Sequence, residues 1–110
     1  MKFKVRKSTD FLYILTQDIQ GKTAYELRME AMRKGELDIG VHYVIQKDGS
    51  VDQGREPYAV AQHSFRAPER SIYVLVDADS LSDLSDAQVF SLDELISCTQ
   101  VEYPNIQIMK

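Results

Sequence analysis

Two stretches of the chain are apolar without a polar interruption, Phe11 to Leu15 (FLYIL) and Ile72 to Val76 (IYVLV). Runs of this length without alternation are expected of strands buried in a sheet with something packed on both faces, and the second run is the candidate for the sheet centre. Elsewhere the apolar spacing changes to three and four. Leu27, Ala31 and Met32 form one such stripe, opened by Thr23 with Glu26 three residues on as a capping box and closed at Lys34-Gly35. Val89, Leu92, Leu95 and Ile96 form another, capped by Ser85 or Asp83 and stopped by Pro104-Asn105. Between the helices, His42 to Gln46 is a β-branched and aromatic run. Asp48-Gly49 follows as a turn dipeptide and Val51 restarts the partner strand, so a hairpin is predicted. Ile106 to Ile108 is a last short alternating segment. The order strand, helix, hairpin, strand, helix, strand predicts an α/β domain over residues 1–110, with a mixed central sheet of about five strands flanked by helices.

Charge narrows the function classes. The formal net charge of −4 argues against a general phosphate-backbone binder, so no direct nucleic-acid binding is expected. The basic start, Met1 to Lys7, is followed by Ser8-Thr9-Asp10 and not by an apolar run, so neither an export signal nor a membrane span is predicted and a cytoplasmic location is expected. Cys98 is the single cysteine, which excludes an internal disulfide, and its place in a helical pattern suggests a buried thiol. Gly49 and Gly54 are isolated and make no phosphate-cradling loop. The acidic, serine-rich stretch Asp77 to Ser85 reads as a surface loop without the pattern of a calcium site.

The hairpin carries more than its fold. His42-Tyr43-Val44-Ile45, Asp48-Gly49, Gly54-Arg55 and then His63 stand in the same order as in the central hairpin of zinc-dependent N-acetylmuramoyl-L-alanine amidases and peptidoglycan-recognition proteins, and the chain resembles that family. Ser8-Thr9-Asp10, Glu26-Leu27-Arg28, Leu37-Asp38-Ile39-Gly40, Ser71-Ile72, Ala87-Gln88 and Tyr103-Pro104-Asn105 extend the likeness along most of the chain, in particular to short phage amidase-type lysozymes.

The resemblance implies an amidase fold, and it also implies a zinc ion with three protein ligands and an open position for water. Its first ligand would fall at or beside Leu15, and its catalytic tyrosine at Val41. The family's tryptophan-histidine pair is matched by Glu30-Ala31, and its remaining ligands and second assisting residue would follow Tyr103-Pro104-Asn105, where the chain reaches Lys110. These departures predict no catalytic residue, no metal and no cofactor: a zinc-less pseudo-enzyme of phage or prophage origin that binds and regulates or sequesters something. The alternatives are a peptidoglycan-fragment-binding protein and an active amidase with a composite metal site shared between subunits. The candidate ligand-binding residues are His63, Gln62, Arg55, Arg66 and His42. His42 reads first as a hydrogen-bonded strand histidine and only second as a ligand, His63 as a pocket or plain loop residue, and the arginines as a pocket for a carboxylate or phosphate or as surface groups paired with Glu56 and Glu69. The expected partners are a protein or a small anionic ligand, or a peptidoglycan fragment, with no membrane; an open sheet edge leaves room for a homodimer.

Overall fold

The structure is a computed structural model that describes residues 4–36 and 38–110, so Met1 to Phe3 of the basic start and Leu37 of the Leu37-Asp38-Ile39-Gly40 motif lie outside the described residues. Its elements in chain order are β1 (Phe11–Gln17), α1 (Ala24–Arg33), β2 (Tyr43–Ile45), β3 (Val51–Gln53), β4 (Ser71–Asp77), α2 (Asp86–Glu102) and β5 (Gln107–Met109). The five strands make one sheet in the order β3-β2-β4-β1-β5. Strands β2, β4, β1 and β5 run parallel and β3 returns antiparallel through the hairpin, so the sheet is mixed, as predicted. Strand β4 is buried at every residue, which fits its unbroken apolar sequence and its central place.

Alternation divides the sheet into two faces. Leu12, Ile14, Ile72, Val74 and Val76 point to one side, where Leu92, Leu95 and Ile96 of α2 close over them. Tyr13, Leu15, Tyr73 and Leu75 point to the other, against Leu27 of α1, Ile39, Val41, Ala61 and Phe65. Here Tyr13 stacks on Tyr73 with ring centroids 4.9 Å apart, and Phe65 tilts against Tyr73 at 4.6 Å. Strand β1 was expected to be packed on both sides, yet Phe11, Tyr13 and Leu15 stay half-buried. The reason is that this second face is covered by one short helix and loops, not by a full layer.

Local signals set the element ends. The Thr23 and Ser85 hydroxyls each accept from the backbone N–H three residues on, and Glu26 and Gln88 reach back to complete capping boxes. Gly35, at φ +91°, follows the end of α1 in a backbone conformation that side chains resist. At the hairpin tip Gly49 has φ +88°, and a Cβ there would come within 2.8 Å of the Ala87 carbonyl oxygen at the start of α2. Four side-chain expectations are corrected. Met32 and Val89 face outward because the core-facing stripes of α1 and α2 are Ala24, Leu27, Ala31 and Gln88, Leu92, Leu95, Ile96, Thr99. Cys98 is exposed, one residue round the helix from buried Thr99. Asp77 is fully buried: it ends β4, and its carboxylate accepts the N–H groups of Ile19 (3.1 Å) and Gly21 (3.1 Å).

That carboxylate holds the β1–α1 connection onto the sheet. Replacing it, Asp77→Ala, leaves the buried Ile19 N–H and the part-buried Gly21 N–H without their acceptor and is expected to cost about 2 kcal/mol of stability, read as a lowered midpoint in urea unfolding with an unchanged slope.

Candidate functional site

The incomplete cover of the second face leaves a trough beside β1 and β4. Leu15, Ile19, Leu27, Ile39, Val41, Phe65 and Leu75 form its apolar floor and walls, Gln17, Glu30, Lys34 and Glu36 its polar rim, and its volume is about 300 Å³. Leu15 and Leu75 lie opposite one another in the β1–β4 register, so the parallel pairing itself sets the floor. Helix α1 is fixed as one wall by Arg28, which pairs with Asp38 and donates to the Gly54 carbonyl at 2.8 Å. On the rim, Glu30 accepts from Lys22 at 2.5 Å, and that hydrogen bond holds its carboxyl below the ordinary range.

A second pocket of about 390 Å³ shares Glu36 with the trough and is bounded by Lys4, Asp38, Arg55, Gln62 and His63. Three of the predicted residues therefore meet: His63, Gln62 and Arg55. They play different parts. The Arg55 guanidinium is buried and bonds the Ile39 (3.1 Å) and Val60 (2.9 Å) carbonyls, joining two loops, while His63 stands exposed at the mouth. Gln62 lies over Gly40, where a Cβ would meet its Oε1 at 2.2 Å. Arg66 is not among the lining residues; its backbone carbonyl accepts the Tyr73 hydroxyl. Lys4, Glu36 and Lys34 were not anticipated, because only the tertiary fold brings the first residues and the end of α1 to the same mouth. The trough floor had a signal in the alternate positions of the two apolar strands.

His42 lies inside the packing. It is 0 % exposed, its Nδ1 accepts the Tyr73 N–H at 3.0 Å, and its Nε2 sits 2.7 Å from the Ala59 carbonyl. An acceptor at Nδ1 requires the proton on Nε2, so the ring is neutral and donates to Ala59. Burial, with Arg6 and Arg55 nearby, pushes its pKa from 6.5 down to about 4. Arg6 stands 3.5 Å from Nε2 and itself serves the Pro57 and Ala59 carbonyls, so His42 and Arg6 together pin the loop that leads to Gln62 and His63.

The zinc that the resemblance implies can be tested against these side chains. A tetrahedral zinc centre takes imidazole, thiolate and carboxylate donors. The trough lining around Leu15 contains no histidine or cysteine, and the Glu30 carboxylate is engaged by Lys22. His42 is buried with both nitrogens in use, His63 opens on the neighbouring pocket, and Cys98 lies on α2 across the sheet. Among the described residues no three His, Cys, Asp or Glu side chains gather in a way that could hold a metal. The described residues of the trough do not fit the ion. No helix among them is long and apolar enough to cross a membrane.

No protein-family model matches the chain. Known proteins do. The endolysin of Escherichia phage T7 is 36% identical over 67 residues, a match that spans 58% of this chain and 44% of that endolysin. The endolysin of Klebsiella phage KP32 is 26% identical across 99% of this chain and 78% of its own length. Among solved structures, the N-acetylmuramoyl-L-alanine amidase LysC from Clostridium intestinale URNW superposes with a TM-score of 0.83 at 17% identity, over 99% of this chain and 78% of that one. The peptidoglycan-recognition protein PGRP-Hd from Alvinella pompejana gives 0.79 at 20% identity, over 98% and 76%. The fold is that of the amidases and peptidoglycan-recognition proteins, and the chain is amidase-like and similar to phage endolysins. These likenesses overturn the expectation of a pseudo-enzyme: proteins named endolysins and amidases point to an enzyme. That expectation counted metal donors only within a chain whose matches span 44% to 78% of those relatives.

The buried histidine makes a measurable prediction. Its folded pKa lies below its unfolded one, so between pH 6.5 and about 4 the unfolded chain binds more protons. The stability contribution is complete above pH 6.5 and is lost as pH falls to about 4, a difference of roughly 3 kcal/mol. Urea unfolding at successive pH values should show this slope, and His42→Gln should flatten it.

Proposed function

We propose that this chain is a peptidoglycan-directed domain of the endolysin amidase type, and that its trough receives the glycopeptide around the bond joining the N-acetylmuramoyl group to L-alanine. The observation that carries this reading is an apolar-floored, polar-rimmed trough beside β1 and β4 of a fold shared with proteins named for that bond and for recognition of peptidoglycan.

The side chains suit such a ligand. Leu15, Leu75, Ile39 and Phe65 offer a surface for methyl groups and the apolar faces of sugar rings, whose burial supplies non-directional affinity. Gln17 can donate to and accept from a peptide group, and Lys34 can meet a stem-peptide carboxylate at the rim. Lys4 and His63 continue a polar edge into the neighbouring pocket. Binding and orientation of the glycopeptide are the steps assigned to these residues. Because the trough donors do not fit zinc, no step of amide hydrolysis is assigned to an ion there.

The test is co-sedimentation with insoluble peptidoglycan, followed by elution with soluble muropeptide. The chain is expected to pellet and to be released, and Leu15→Glu, which puts a charge on the floor at a half-buried position, is expected to weaken retention about tenfold or more without a change in fold by circular dichroism. A chain that stays in the supernatant at every concentration would contradict the reading.

A further inference from the structure

The other side of the sheet poses a separate problem. Residues 71–109 hold seven of the chain's seventeen carboxylates and no lysine, arginine or histidine, so the net negative charge of the molecule arises entirely there. Helix α2 carries four of them, Asp86, Asp93, Glu94 and Glu102, all exposed. None of the ion pairs among the described residues involves any of these four. Glu102, in the last turn, borders a pocket with Arg6 and Tyr43 and stands apart from the other three.

On the same outer face α2 exposes large apolar groups. Phe90 is 65% and Val101 83% accessible. Their eleven-residue separation puts them on one stripe of the helix with Glu94 and Ser97, about 16 Å apart along the axis. An exposed aromatic residue at one end and an aliphatic one at the other, with unpaired carboxylates beside and between them, leaves a helix face that lacks both its apolar cover and its counter-charges. Leu92, Leu95 and Ile96 on the inner face of α2 pack against the core, and the outer stripe lies outside that cluster.

We propose that the outer face of α2 is a docking surface for a protein partner that presents a cationic amphipathic helix. Apolar side chains of that helix cover Phe90 and Val101, and its lysines or arginines meet Asp86, Asp93 and Glu94. The charge selects this occupant: like-charge repulsion disfavours a nucleic acid or an anionic membrane, and a second copy would bring the same acidic stripe against itself. The face lies across the sheet from the trough, so partner docking and glycopeptide binding are separate properties.

The test uses the full chain and a labelled synthetic helical peptide with leucines on one face and lysines on the other, followed by fluorescence anisotropy. A peptide of identical composition with the leucines scattered round the helix serves as the control for charge alone. The amphipathic peptide is expected to bind about tenfold or more tightly than the scattered one, and Phe90→Ser to remove that advantage. The double variant Asp93→Lys, Glu94→Lys is expected to abolish binding of both. Equal binding of the two peptides, or an unchanged affinity in Phe90→Ser, overturns the proposal by leaving only unselective charge attraction. Phe90→Ser should retain the parent's melting temperature and its behaviour on peptidoglycan, which separates this result from that of the trough.

Discussion

Strand β4 must be hidden on both faces, and the rest of the structure follows from that requirement. Seven consecutive buried residues cannot stand at an edge or against water, so β2 and β1 flank them and a layer has to close over each side. Helix α2, seventeen residues long, closes one side together with Leu84, Tyr103 and Ile106 at its two ends. On the other side the ten-residue α1 is too short, and loops drawn from residues 39–41 and 59–65 complete the cover. A layer assembled from loops does not tile a sheet perfectly. The trough over Leu15 and Leu75 is the gap that remains, so the same packing demand that makes the fold also makes its candidate site.

Loops in a buried layer carry backbone groups outside the sheet ladder, and these need partners. The buried polar side chains answer this need. Asp77 takes two N–H groups of the β1–α1 connection, Arg55 donates to two carbonyls of the loops, His42 joins the Tyr73 N–H to the Ala59 carbonyl, and Gln88 ties the Asp77 carbonyl to the start of α2. Among the described residues no buried side-chain polar atom lacks a hydrogen-bond partner. Three of these four polar groups lie at or beside the second face, where loops replace a helix. The two histidines of the chain thus differ in setting: His42 is consumed by the scaffold, and His63 is exposed at the second pocket.

Likeness to LysC at 17% identity shows how little of a sequence such a scaffold requires. Periodicity, caps and a few glycines are enough to place strands and helices, because packing tolerates many apolar side chains of similar volume. Chemistry is less tolerant, since a metal centre fails when a single donor is replaced. This difference explains how the chain keeps the amidase architecture while the trough has a leucine where the resemblance expects a ligand. A donor count speaks only for the residues counted, and the names of the endolysins and amidases the chain resembles weigh against reading it as a pseudo-enzyme.

What the sequence determined by itself was local or periodic. Thr23-x-x-Glu26, Ser85-x-x-Gln88, Asp48-Gly49 and the two uninterrupted apolar runs specify their elements through interactions within a few residues, and the ordering of those elements limits the sheet topology to few choices. The charge asymmetry of α2 was likewise written in the residue order. Only the tertiary structure decided which way a side chain finally faced, as with Cys98, Val89 and Asp77, because a one-residue rotation of a helix stripe or a strand end changes burial without changing composition. It alone brought Lys4, Arg55, Gln62 and His63 to one pocket and sent Arg66 elsewhere. Sites of this kind are made from residues far apart in the chain, and their proximity is fixed by how the layers close, a constraint that no local pattern of residues can encode.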